Sequence, residues 1–117
     1  MRDDQTRVLV SDWKRIRKYV PFDPRADSRF TPKFGYIIDY LREKYGIYVW
    51  GNPVTNAELD IDTEDNPRRV YNFRSEVRYV KKTIVYRDAV FNDISYYLVI
   101  RKAINKAIDF LEADGIE

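Results

Sequence analysis

The stretch that most constrains this chain is Thr31-Pro-Lys-Phe-Gly-Tyr-Ile-Ile-Asp-Tyr-Leu-Arg-Glu-Lys-Tyr-Gly46-Ile47, which carries both ends of a helix and the start of a strand. The Thr31 hydroxyl is placed to cap the first turn, and Pro32 follows at the first helical position, where a missing N–H costs nothing. Phe34, Ile37, Ile38, Leu41 and Tyr45 recur at the three-and-four spacing of one helical face. Lys33, Asp39, Arg42, Glu43 and Lys44 fall on the other side. Gly46 stands where a left-handed residue ends a helix, and Ile47 can fold back onto Leu41.

The flanking segments read less sharply. From Thr6 to Val20, Leu9, Trp13, Ile16 and Val20 form a helical stripe, with Lys14, Arg15, Arg17 and Lys18 opposite. The alternative is a short strand at Arg7–Val10 followed by a helix capped by Ser11. Pro21, Pro24 and Pro32 make residues 21–31 an irregular connection. Residues 1–5 read as a frayed end. After Gly46, alternation predicts a strand with Ile47, Val49 and Gly51 on one side and Tyr48 and Trp50 on the other, broken by Gly51-Asn52-Pro53. Residues 57–62 read as an edge strand and 63–67 as a turn.

Residues 69–80 give the clearest strand, with Tyr71, Phe73, Ser75, Val77 and Tyr79 alternating against Asn72, Arg74, Glu76 and Arg78. Lys81-Lys82 is either a hairpin turn or an exposed stretch before the strand-like Thr83–Tyr86. Asn92 or Asp93 is expected to cap a last helix running to about Ala113 and stopping at Gly115. Its apolar face is read as Ile94, Tyr97, Leu98, Ile100, Ile104, Ala107, Ile108 and Leu111. A block of strands between helices predicts the α+β class, an antiparallel three- to four-stranded sheet with helices packed on one face. One domain of residues 1–117 is expected, with an N-terminal basic helix over 1–20 and a core over 31–115.

Composition narrows the chemistry. With no Cys and no His, the chain cannot build a thiol nucleophile, a Ser–His pair or a Cys/His zinc site. No cofactor, no metal and no enzymatic activity is expected. The lack of Cys, of a long apolar run and of a signal-peptide pattern fits a cytoplasmic protein with no membrane partner. Ten Tyr, six Phe and two Trp argue for a folded globule and for an aromatic binding surface, with Tyr48 and Trp50 as protein-binding candidates. Charge is uneven, at +4 over residues 1–33, −5 over 34–67 and +3 over 68–117.

Two basic groups are candidate nucleic-acid contacts. Lys14, Arg15, Arg17 and Lys18 would meet phosphate from the first helix; Arg74, Arg78, Lys81, Lys82 and Arg87 would do so from the strands, with Tyr48 or Trp50 as stacking platforms. The ordinary readings are a solvated helix face and edge charge that discourages sheet aggregation. The acidic series Glu58, Asp60, Asp62, Glu64 and Asp65 lacks the glycine and the final glutamate of a calcium loop, and reads as a solvated strand and turn.

Tyr40-Leu41-Arg42-Glu43-Lys44-Tyr45-Gly46-Ile47, with Ala103-Ile104-Asn105-Lys106-Ala107 through Leu111 in the last helix, resembles small uncharacterised proteins of bacteriophages and Bacteroides-type mobile elements. The resemblance covers residues 30–113 and implies an α-β-β-β-α core without implying an activity. The same element order resembles double-stranded-RNA-binding domains. The chain departs from them at Asn92-Asp93-Ile94-Ser95, where they carry Lys-Lys, and lacks their Gly-Pro-x-His loop. These readings lead to a small non-enzymatic accessory protein acting through a protein-binding or self-association surface. The alternative is a nucleic-acid-binding module using the first helix and the Arg74–Arg87 strand face.

Overall fold

The computed structural model describes residues 6–55 and 70–115. In chain order these form α1 (Val10–Ile16), α2 (Phe34–Tyr45), β1 (Ile47–Thr55), β2 (Val70–Lys81), β3 (Ile84–Asp93) and α3 (Tyr96–Ala113). The class is α+β, with one antiparallel sheet in the order β1-β2-β3 and helices packed on it. The edge strand read at 57–62, the turn at 63–67, the acidic series Glu58–Asp65 and the frayed end at residues 1–5 lie outside the described residues.

Period-two alternation sorts the sheet into two faces. Ile47, Val49, Val77 and Tyr79 point into the core, where they meet Ile100, Ala103, Ile104, Ala107, Ile108 and Leu111 of α3 and Ile37 and Leu41 of α2. Ser75 shares this face, fully buried, and its hydroxyl donates to the Val99 carbonyl at 2.7 Å. That bond satisfies a hydroxyl that would otherwise be costly to bury. Gly51 shares it too: a Cβ there would lie 2.7 Å from Ile100 Cδ1 and 3.1 Å from Tyr96 Cε2. The missing side chain lets α3 settle close to the sheet.

The helix α2 ends as its sequence predicts. Gly46 adopts φ 73°, and the carbonyls of Leu41 and Arg42 are taken up at this cap. Its start differs. Lys33, not Thr31, precedes the first turn and supplies no side-chain cap. Arg7 forms a bridge with Lys33, the Val8 amide donates to the Pro32 carbonyl (3.0 Å), and the Thr31 hydroxyl donates to the Val8 carbonyl (2.5 Å). A tertiary pairing has claimed the hydroxyl that local rules assign to the helix.

The same pairing shortens the first helix. Instead of one helix from Thr6 to Val20, residues 7–8 run extended beside 32–33 and α1 occupies seven residues. This follows the strand-then-helix alternative, except that Leu9 rather than Ser11 stands at the N-cap. A helix this short is marginal alone. Ile16 and Val20 are fully buried, the Asp12 carboxylate accepts from Arg101 Nε at 2.7 Å, and Tyr45 Oη donates to the Tyr19 carbonyl at 2.7 Å.

Two further expectations are corrected, and between them the open choice at Lys81-Lys82 is decided for a hairpin turn, one residue further on. β1 runs through Gly51-Asn52-Pro53 to Thr55; Pro53 is tolerated because β1 is an edge strand. Lys82 (φ 50°) and Thr83 (φ 67°) form the two-residue hairpin turn, with the positive φ pair of a type I′ loop but without its usual Asn-Gly. β3 extends to Asp93, so α3 is capped by Ser95, whose Oγ accepts from the Leu98 amide at 3.3 Å. Ile94 therefore precedes α3 and is 83% exposed, while Val99, Ala103 and Phe110 join the core.

Candidate interaction surface

The other face of the sheet is covered by none of the described helices. Cross-strand register lines up Tyr48, Arg78 and Asp88 in one row, Trp50, Glu76 and Val90 in the next, and Asn52, Arg74 and Asn92 in a third. Tyr48 is 42% exposed and Val90 53%, and Arg74, Arg78 and Asp88 are exposed. The Arg78 guanidinium lies 5.3 Å from the centroid of the Trp50 ring, a cation–π stack on the diagonal between neighbouring strands. Arg78 also reaches Glu76 at 3.4 Å. The open face ends at Val54, which is buried.

The chemistry of this face is mixed. Trp50 and Tyr48 offer rigid apolar area with polar tips, the composition favoured at protein-binding surfaces. Its four charges, Arg74 and Arg78 against Glu76 and Asp88, cancel. A surface that works by releasing counterions from a polyanion needs an excess of positive charge.

Eight of the nine basic residues named from sequence separate into three groups, and Lys82 stands apart from them. Lys14, Arg17 and Lys18 are exposed on and just after α1, which packs against α3 in the helical layer. Arg74 and Arg78 lie on the opposite side of the molecule, on the outer sheet face. The remaining group is tied to acids of α3 and its end. Arg15 pairs with Asp109 and, at 2.9 Å, with Glu112, and donates to the Asn105 carbonyl at 3.3 Å. These bonds hold the guanidinium proton more firmly and depress the Glu112 carboxyl below its ordinary value.

Lys81 and Arg87 both reach Asp114, at 2.9 and 3.3 Å. The Lys81 ammonium lies 4.9 Å from the Tyr79 ring and 4.2 Å from the Tyr86 ring. The hydrogen bond from Lys81 is the main cause that holds Asp114 below the usual carboxylate range; burial pushes the Tyr79 phenol up. This cluster fastens the hairpin to the end of α3. Lys82 stands exposed at the hairpin tip. The first helix and the strand bases therefore do not make one continuous basic surface.

Alternation put Glu76 on this face with Arg74 and Arg78, but Asp88 and Val90 were not assigned to it. The usable signal was the alternation of Asp88, Val90 and Asn92 against Ala89 and Phe91, which continues the strand beyond the strand-like Thr83–Tyr86. Among the described residues, no group of three or more His, Cys, Asp or Glu side chains is placed to hold a metal ion. No described helix is long and apolar enough to cross a membrane. Comparison with protein-family models, curated proteins and solved structures gives no match.

Proposed function

We propose that this chain is a small non-enzymatic binding protein whose working surface is the open outer face of its sheet, and that its partner is a protein. The observation that carries this reading is the Trp50 ring under the Arg78 guanidinium, beside Tyr48, on a face that no described helix covers. Trp, Tyr and Arg dominate binding energy where they are desolvated together. The cancelling charges favour a partner of mixed charge. The resemblance of Tyr40–Ile47 and Ala103–Leu111 to small phage and mobile-element proteins is the ground for including an accessory role in this proposal.

The test is parallel capture of host and phage proteins by the wild-type chain and by Trp50→Ala and Tyr48→Ala variants. A protein held by the wild type and released by both variants supports the reading. Retention that neither variant alters overturns it.

The second reading is single-stranded nucleic acid on the same face, favoured by Arg74 and Arg78 flanking the Trp50 platform. Band shifts at low salt with single-stranded DNA and RNA decide it. A shift abolished by Arg74→Glu plus Arg78→Glu replaces the protein partner with a nucleic acid; the absence of any shift removes this reading.

A further inference from the structure

Among the described residues β1 and β3 are the two edges of the sheet, and they are unequal. β1 carries Pro53, which has no N–H to offer a new strand, and Gly51, which weakens it as a template. β3 carries neither. Its composition, with Ile84, Val85, Tyr86, Ala89, Val90 and Phe91, is that of a central strand, yet none of its ten residues is buried. Among the described residues, six of the large hydrophobics left exposed belong to β3 or the turn and helix start after it: Ile84, Val85, Tyr86, Val90, Ile94 and Leu98. Such an edge is a template for another strand.

The regular part of this edge is sharply bounded. The β2–β3 register breaks between Tyr79 and Val80, leaving Tyr86 as the extra residue of a bulge, and runs uninterrupted from Arg87 to Asp93. Val90 is the midpoint of that segment. A twofold axis perpendicular to the sheet at Val90 pairs the segment with itself, antiparallel. Val90 then meets Val90 of the second copy, Ala89 meets Phe91, Asp88 meets Asn92 and Arg87 meets Asp93. Every pair is apolar, polar or of opposite charge, and each pair lies on one face. An axis at Arg87 or at Asp88 would instead set like charges directly opposite each other, which is destabilising.

The helical layer is consistent with the same axis. A groove of about 350 Å³ lies between Phe91 of this edge strand and α3, lined there by Leu98, Lys102 and Lys106 among others. Lys102 already reaches Asp93 at 2.9 Å, and Arg87 reaches Asp114. Joining Asp93 of one copy to Arg87 of the other would link these two pairs into one network across the seam.

From this we infer that the β3 edge is the seam of a homodimer, in which two sheets join into one of six strands through an antiparallel Val90-centred pairing. The occupant of the edge is a second copy, because the segment is self-complementary in charge, length and parity, as an isologous interface must be. The outer faces carrying Trp50 then lie on the same side of a continuous sheet, separate from the seam.

Sedimentation of the full chain at high micromolar concentration is expected to give twice the 14.1 kDa chain mass. Val90→Lys sets two ammonium groups opposite each other and is expected to raise the dimer dissociation constant at least about tenfold. Facing Cα atoms in an antiparallel pair lie ~4.5–5.5 Å apart, within disulfide reach, and the chain has no other Cys. Val90→Cys is therefore expected to form a covalent dimer on mild oxidation, and Asp88→Cys, two positions off the axis, is not. A wild-type chain that sediments as a monomer at these concentrations overturns the inference. So does a dimer that survives Val90→Lys but is dissolved by Trp50→Ala, which would place the seam on the outer sheet face. Should Val90→Lys fail to fold, the two cysteine variants decide: equal cross-linking of both, or of neither, overturns the seam.

Discussion

The Val80 amide donates to the Gly46 carbonyl at 2.9 Å, so the residue that ends α2 is also bonded to β2, just ahead of the hairpin turn. Gly46 serves two requirements there. Its φ of 73° turns the chain from helix into β1, and the absence of a Cβ leaves room for the Val80 carbonyl oxygen, which a Cβ would approach to 2.8 Å.

Gly46→Ala is accordingly expected to destabilise the fold by about 2 kcal/mol or more. Left-handed backbone alone costs an L-residue roughly 1–2 kcal/mol, and the clash is with backbone that cannot rotate away. Urea unfolding followed by far-UV dichroism measures it; a midpoint unchanged from wild type would contradict the geometry.

Gly51 is constrained differently, because the atom a Cβ would meet first is the Cδ1 tip of buried Ile100. Gly51→Ala is expected to cost roughly 1–3 kcal/mol through overpacking. Ile100→Val removes that tip. The double variant is therefore expected to be more stable than the sum of the two single losses, a coupling that a double-mutant cycle reads directly.

The hairpin turn offers the opposite sign. Lys82 and Thr83 hold positive φ without glycine or asparagine, and Thr83 is β-branched. Lys82→Asn with Thr83→Gly gives the turn the residues its conformation prefers and is expected to stabilise the protein by about 1 kcal/mol, read as a higher urea midpoint.

The hairpin's attachment to α3 titrates. Asp114 is held below its ordinary value of 3.8 by Lys81 first, with Tyr79 and Arg87 adding to it. A depressed carboxylate contributes stability that is fully present above its unfolded value and is lost as pH falls through its folded value. The attachment is therefore intact at neutral pH and loosens only below about pH 4. In a carbon-detected NMR titration the Asp114 carboxyl midpoint should lie under 3.8, and Lys81→Met with Arg87→Met should return it towards 3.8.

What the sequence made legible was whatever local rules alone decide. The α2 stripe, its Gly46 stop, the inward set Ile47, Val49 and Gly51, and the alternation of β2 all stand in the structure as read. The errors came where a distant partner outbid a local preference. Thr31 is a good cap by itself, but Val8 takes its hydroxyl. Pro53 looks like a strand breaker, and only the knowledge that β1 is an edge makes it tolerable. Asn92-Asp93 are good caps too, yet they belong to β3 because β2 continues opposite them. The surroundings of the basic residues were not legible for a related reason: whether Arg15 faces solvent or Asp109 depends on where α1 docks, which periodicity does not encode.

The docking of α1 has a kinetic consequence. Arg15 and its acids Asp109 and Glu112 lie more than ninety positions apart in the chain, whereas α2, β1 and the β2–β3 hairpin join near neighbours. Closing the longest loop is the slowest entropic step, so the strap from Thr6 to Val20 is expected to lock on after the sheet and α3 have met. It would then act as a latch on the finished domain: weakening it speeds unfolding and leaves the folding rate nearly untouched. In stopped-flow measurements Ile16→Val should shift the unfolding limb alone, which makes the first helix a control on how long the domain stays folded.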